Sequence, residues 1–314
     1  MMATRSPNRS NSRTGFTLIE LLMVIAIIGI LIALLVPAVG GALKRARVTS
    51  VRAEISQLET AIGKFRSVYN MDPPSLITLY ETTAGWTGDA NSRALIRQLW
   101  PQFNFGAARD INGDGDMTDT ISLYQCECLV FFLGGMNGNT IPGSATADNN
   151  IPNATNPLLH IGACTGFSKN PADPFARGGN REPPFFEFLP ARFTDLDSDG
   201  FPEYRDPLPS QTMPYLYYSG YDGTGYNAAE FQPIVTGGLW QPYRTGTALT
   251  APLWKPNSYQ IISPGYDRDY GYGGAYVASG TDRLPLPASP PPTAAARAPE
   301  ADNITNFSAG ELLP

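Results

Sequence analysis

From Phe16 to Val39 the chain reads FTLIELLMVIAIIGILIALLVPAV, and Glu20 is the only charge in that run. As a helix this run is about 36 Å long, enough to cross a bilayer core of about 30 Å. Past Pro37, Gly40 and Gly41, residues that loosen a helix, the apolar positions change rhythm. Val48, Val51, Ile55, Leu58, Ile62, Phe65 and Tyr69 recur at spacings of three and four, with Arg52, Glu54, Gln57, Glu59 and Lys64 off the stripe. That spacing predicts an amphipathic helix, serving either as a coiled-coil seam or as a face packed on a sheet. Asp72-Pro73-Pro74 stops it, because proline disfavours helical geometry in the residue before it. Residues 16–70 are therefore expected to form one helix about 80 Å long.

Beyond residue 75 the signals are short. Helices are expected over 94–99 and 123–133, the second capped by Gly134-Gly135. Residues 134–157, rich in Gly, Asn, Ala and Pro, read as a long loop. Strands are expected over 185–189, 214–219, 258–263 and 274–278, each bounded by Gly, Pro or Asp. The Pro/Ala-rich stretch 284–299 predicts a disordered tail over 281–314. The resulting class is α+β: a long N-terminal helix, an antiparallel sheet and long loops. The chain divides into a leader at 1–15, a transmembrane segment at 16–39, a head at 40–280 that includes helix 43–70, and the tail.

Charge adds an orientation. The leader, MMATRSPNRSNSRTG, holds three arginines and no acid, and removing it takes the formal net charge from −6 to −9. Positive charge before the span places the N-terminus in the cytoplasm and the head outside. An acidic head excludes nucleic acid as a partner, since phosphate attraction needs a basic surface. Only 16% of residues are charged, against 31 glycines and 29 prolines, which favours a loop-rich head over a helical enzyme core. A signal peptide ends in its cleavage site. Here the Gly15–Phe16 junction precedes the apolar run, so a cut there keeps the hydrophobic helix on the mature protein.

A carboxylate at the centre of a span costs roughly 2.5–3.5 kcal/mol, and less near an end. Glu20 lies four residues from Phe16, one helical turn from the α-amino group that a cut after Gly15 would create. An amine and a carboxylate of neighbouring copies can neutralise each other if the helices stagger suitably. The alternative is a plain anchor with a Glu near the interface. The string Gly15-Phe16-Thr17-Leu18-Ile19-Glu20-Leu21-Leu22 resembles the type IV prepilin processing motif shared by pilins and type II secretion pseudopilins. The resemblance implies a pilin-like fold, cleavage between Gly15 and Phe16 by a prepilin peptidase, and N-methylation of Phe16. It also implies self-assembly into a filament through Glu20, with Pro37 bending the helix and inner-membrane assembly machinery as a further partner. The expected function is a structural subunit of a type II secretion pseudopilus or type IV pilus-like filament, single-pass in the inner membrane before assembly. A minor pilin or adhesin with a membrane-anchored head is the alternative, and an anchored extracellular enzyme the third.

Two loops carry calcium-like spacing. Asp195, Asp197, Asp199, Glu203 and Asp206 fall at positions 1, 3, 5, 9 and 12 of an EF-type loop, with Gly200 at 6 and the Phe201 carbonyl at 7. Ca²⁺ takes six to eight oxygens at about 2.3–2.6 Å, and alternating acids on a tight turn converge on one point. Pro202, the absence of flanking helices and Asp in place of Glu at position 12 depart from that pattern. Asp110, Asn112, Asp114 and Asp116 repeat its first half, with Asp119 left to complete the shell; the alternative there is a plain turn.

The segment Ser258–Gly271, with Gly265, Asp267 and Asp269, resembles the C-terminal strand and calcium loop of major pseudopilins. Asp173-Pro174-Phe175, or Asp206-Pro207, with Pro214–Tyr218 resembles an upstream segment of that family, without its tryptophan. Arg268 between the two acids disfavours a cation at Asp267 and Asp269 unless it points away. Of the cysteines, Cys126 or Cys128 can pair with Cys164 in an oxidising compartment; otherwise Cys126 and Cys128 are small buried residues of an apolar helix. His160 is the single histidine, so the set is no zinc signature. No phosphate-binding glycine loop or nucleophile–histidine pairing marks an enzyme.

Overall fold

The computed structural model describes residues 17–113, 115–137, 162–196, 200–221, 225–227, 241–287 and 293–313. The predicted leader, Gly15, Phe16, Asp114, His160, Asp197, Asp199 and most of the 134–157 loop lie outside them. The chain divides into two units, Met1–Ala46 and Arg47–Pro314.

Helix α1 runs from Leu18 to Tyr69 and continues through Pro37, Gly40 and Gly41. Every residue from Thr17 to Arg47 is exposed. Farther along, Val51, Ile55, Leu58, Ala61, Ile62 and Phe65 are buried, and Val48 and Tyr69 pack against the same core. The predicted stripe is thus the face that builds the head's core. Burying one such side chain contributes about 1.5–3 kcal/mol, so this stripe outweighs any propensity term in holding the helix. Asn70 adopts a left-handed φ of 57° and donates to the Arg66 carbonyl, ending the helix.

Strand β1 (Leu76–Tyr80) pairs antiparallel with β2 (Thr120–Tyr124), Leu76 opposite Tyr124 and Tyr80 opposite Thr120. Between them lie α2 (Gly85–Gly88) and α3 (Ala90–Leu99), the latter capped by Asp89, whose carboxylate accepts the Asn91 and Ser92 N–H groups. Helix α4 (Gln125–Gly134) follows β2 directly and is buried at every residue. The Glu127 carboxylate accepts the Tyr124 N–H at its start. At its end, a Cβ on Gly135 (φ 75°) would stand 2.2 Å from the Gly166 carbonyl carbon, so only glycine permits that backbone crossing.

Among the described residues the rest of the head carries three further small sheets. Strands β3 (Phe193–Thr194) and β4 (Glu203–Tyr204) form an antiparallel pair. Strand β5 (Leu216–Ser219), β7 (Tyr259–Ser263) and β9 (Ile304–Thr305) form an antiparallel sheet in the order β5-β7-β9. Strand β6 (Gln241–Arg244) lies parallel to β8 (Gly273–Ala275).

The fold is α+β, a long N-terminal helix with small antiparallel sheets, as expected; among the described residues the strands form four sheets, one of them parallel. Three expectations are corrected. Residues 185–189 are not a strand: prolines flank the stretch, and the Phe185 and Phe186 N–H groups both turn to the Leu133 carbonyl. The tail is not disordered over its described length. Residues 293–313 carry α5 (Ala294–Arg297) and β9, and they bury Ile304 and Leu312 completely. Arg297 and Glu300 pair inside the fold at 2.7 Å, and Glu300 accepts the Tyr272 and Gly273 N–H groups. No disulfide joins Cys126 or Cys128 to Cys164; all three are free. The Cys164 Sγ lies against Gly134 at the end of α4, while Cys126 and Cys128 sit in its first turn.

Candidate functional site

The exposed apolar half of α1 is the first site. From Leu18 to Leu43 it presents leucine, isoleucine, valine and methionine on all sides. It is long and apolar enough to cross a membrane by length and composition. Glu20 sits in the first turn. Its Oε2 accepts the Thr17 N–H at 2.8 Å and the Thr17 hydroxyl at 2.7 Å, while the Glu20 N–H donates to Thr17 Oγ1 at 3.3 Å. Thr17-Leu-Ile-Glu20 is therefore a capping box, which satisfies donors that a helix start leaves open. A Glu three residues after a Thr ahead of an apolar run was the legible signal for it. Glu20 thus has a bond within its own helix beside any it makes to another copy.

The second site is acidic. Glu81, directly after β1, is buried, and Asp116 and Asp119 bring carboxylate oxygens within 4.8 Å of its own and of each other. Glu81 accepts the Ile111 N–H at 2.6 Å and the Asn112 N–H at 3.4 Å on Oε1, and the Asp119 N–H at 3.2 Å on Oε2. Burial pushes its carboxyl up, against these hydrogen bonds. The sequence reading of the 110–119 loop missed Glu81, since it lies 30 residues before Ile111 and only the strand register brings it there. Asp110 takes another role: its carboxylate accepts the Gly113 and Gly115 N–H groups, an Asx-type turn. Asn112 donates to Asp119 at 2.7 Å. Arg177 donates to the Ile111 carbonyl and lies where a Cβ on Gly113 would be, bringing positive charge beside Asp110 and Glu81.

Of the 195–206 loop, Asp197 and Asp199 lie outside the described residues. Strands β3 and β4, not helices, flank its centre. Glu203 is buried and accepts the Leu196 N–H on both oxygens, and Asp195 accepts the Gly200 N–H. Phe201 turns its ring into the core against Phe131. Asp206 is committed elsewhere: it accepts the Ser263 hydroxyl at 2.6 Å, Gln211 Nε2 at 2.9 Å and the Leu208 N–H at 2.9 Å. Asp267 and Asp269 cap their own turn, Asp267 accepting the Asp269 N–H and Asp269 the Gly271 N–H. Among the described residues, Glu81, Asp116 and Asp119 are the one trio of carboxylates gathered this closely.

Residues 10–36 match the family model described as the prokaryotic N-terminal methylation motif. The chain is 32% identical over 117 residues to fimbrial protein Q of Moraxella bovis, covering 70% of that protein and 35% of this chain. The chain belongs to the type IV prepilin-like family. Within that family it is 46% identical over 106 residues to the type IV major alpha-pilin of Moraxella bovis, covering 64% of that protein and 34% of this chain. It is 50% identical over 48 residues to the type IV major fimbrial protein FimA of Dichelobacter nodosus, covering 31% of it. The chain therefore spans less than two thirds of the length of most of these curated relatives. No solved structure matches this prepilin-like chain.

Proposed function

We propose that this protein is a structural subunit of a type IV pilus-like filament, held in the inner membrane by residues 16–39 and polymerised through its N-terminal helix. The observation that carries this reading is the fully exposed apolar half of α1, headed by Glu20. Water does not tolerate such a surface, so it lies in lipid or against other copies of itself. A prepilin peptidase would cut between Gly15 and Phe16, Phe16 would be methylated, and its amine would meet Glu20 of a neighbouring copy. The named relatives are pilus proteins, which favours a pilus over a secretion pseudopilus.

Glu20→Gln tests the assembly step. The amide keeps the capping box but removes the charge. Cleaved protein that no longer enters filaments is the expected result; normal incorporation would leave Glu20 a helix cap and nothing more.

One observation favours a second reading, a minor subunit or adhesin. The 106 residues shared with the alpha-pilin are 64% of that protein and 34% of this chain, so this chain is nearly twice as long. Counting copies in purified filaments separates the two, many for a major subunit and few for a minor one.

Calcium at the 110–119 loop is a further part of the proposal. Glu81, Asp116 and Asp119 offer oxygen donors alone, the set a hard cation prefers. An ion there would tie the loop to β1.

A further inference from the structure

Directly after Leu43 the chain reads Lys44-Arg45-Ala46-Arg47, and all four residues are exposed. Leu18 to Leu43 rises about 39 Å, against about 30 Å for a hydrocarbon core and about 40–45 Å for a bilayer with its headgroups. With Glu20 at one interface, Lys44 and Arg45 therefore fall in the opposite headgroup layer. The three basic side chains occupy one helical turn and spread over roughly half its circumference. Lys and Arg lay their methylene stems along apolar surface and hold the charge in the polar layer. We propose that Lys44, Arg45 and Arg47 form a collar that binds anionic lipid headgroups of the outer leaflet.

This rests on the reading of residues 16–39 as a membrane span.

The test uses the full chain in vesicles of phosphatidylcholine with 30% phosphatidylglycerol, comparing wild type with K44Q/R45Q/R47Q. Carbonate washing reports the span. Spin-labelled phosphatidylglycerol and phosphatidylcholine report which lipid the protein immobilises. Each basic residue near an anionic surface is worth about fivefold in attraction, so wild type should select phosphatidylglycerol several-fold over the triple variant, with the difference shrinking in high salt. Both proteins resisting carbonate with equal lipid selection would overturn the collar and leave the span. Release by carbonate would overturn both. Equal lipid selection with filament entry lost only in the triple variant would make the occupant a neighbouring copy and overturn the lipid assignment.

Discussion

Glu54 of α1 and Arg192 meet in a two-pronged ion pair, Nη1 and Nη2 each 2.6 Å from a carboxylate oxygen. Arg192 also lies over the Tyr204 ring, 4.3 Å from its centre, and Glu54 accepts the Tyr215 hydroxyl at 2.8 Å. Both ion-pair side chains are largely shielded, at 18% and 13% exposure. The pair ties α1 to the residue just before β3, beside the contacts that the apolar stripe makes.

Removing one partner strands the other. Glu54→Ala should destabilise the head by about 3–5 kcal/mol, because the shielded Arg192 loses its counter-charge, keeping only its bonds to the Arg205 carbonyl, and the Tyr215 hydroxyl loses its acceptor. Replacing the pair together by Glu54→Leu and Arg192→Met should recover much of that loss. Urea unfolding of the detergent-solubilised chain measures both. A Glu54→Ala loss below about 1 kcal/mol would place this pair with ordinary surface ion pairs.

The C-terminal segment offers a second test. Ile304 is fully buried and pairs with Ser263, Asn306 donates to Glu59 of α1, and Arg52 donates to the Ala309 carbonyl. Ile304→Ala should cost about 2–5 kcal/mol. In a disordered tail the same change would cost nothing, so an unchanged midpoint of unfolding would restore the compositional reading.

That contrast shows where sequence was legible. Periodicity marked α1 because Val51 to Phe65 sit on one face, and local propensity marked β5 and β7. Prolines between residues 285 and 299 masked the segment after them, whose burial depends on pairing with β7 some 40 residues earlier. Spacing placed Asp116 and Asp119 in one loop, but Glu81 joins them only through the β1–β2 register. Asp206 fits the spacing of the 195–206 loop, but its hydrogen bonds from Ser263 and Gln211, 57 and 5 residues away, come only with the fold.

Acidity should stabilise the head through Asp267. Desolvation, with Asp302 and Asp269 nearby, raises its carboxyl to about 6 from 3.8. The folded state therefore holds this proton more tightly than the unfolded chain does. Its contribution is complete below pH 4, declines as pH rises through 6, and is gone above 7. The melting temperature of the wild-type protein in chelator should rise between pH 7 and 5 by more than that of Asp267→Asn. The amide can still accept the Asp269 N–H, so the difference isolates the charge. Parallel pH profiles would remove Asp267 as the source.

Calcium is separable from plain turn chemistry at Asp116. This side chain is exposed and accepts the Thr118 N–H and hydroxyl, bonds that an amide oxygen keeps. Without an ion, Asp116→Asn should be neutral to within about 0.5 kcal/mol. An ion bound at a hundred times its dissociation constant adds about 2.7 kcal/mol to the native state, and chelator removes it. The expected outcome is a melting temperature that falls in chelator for wild type and moves little for Asp116→Asn, with both equal once the ion is gone. Arg177 already brings positive charge to Asp110 and Glu81, so affinity should be modest and the titration should extend to millimolar calcium. Wild-type melting curves that coincide with and without chelator would mean that Arg177 and the loop's own N–H groups balance these carboxylates unaided.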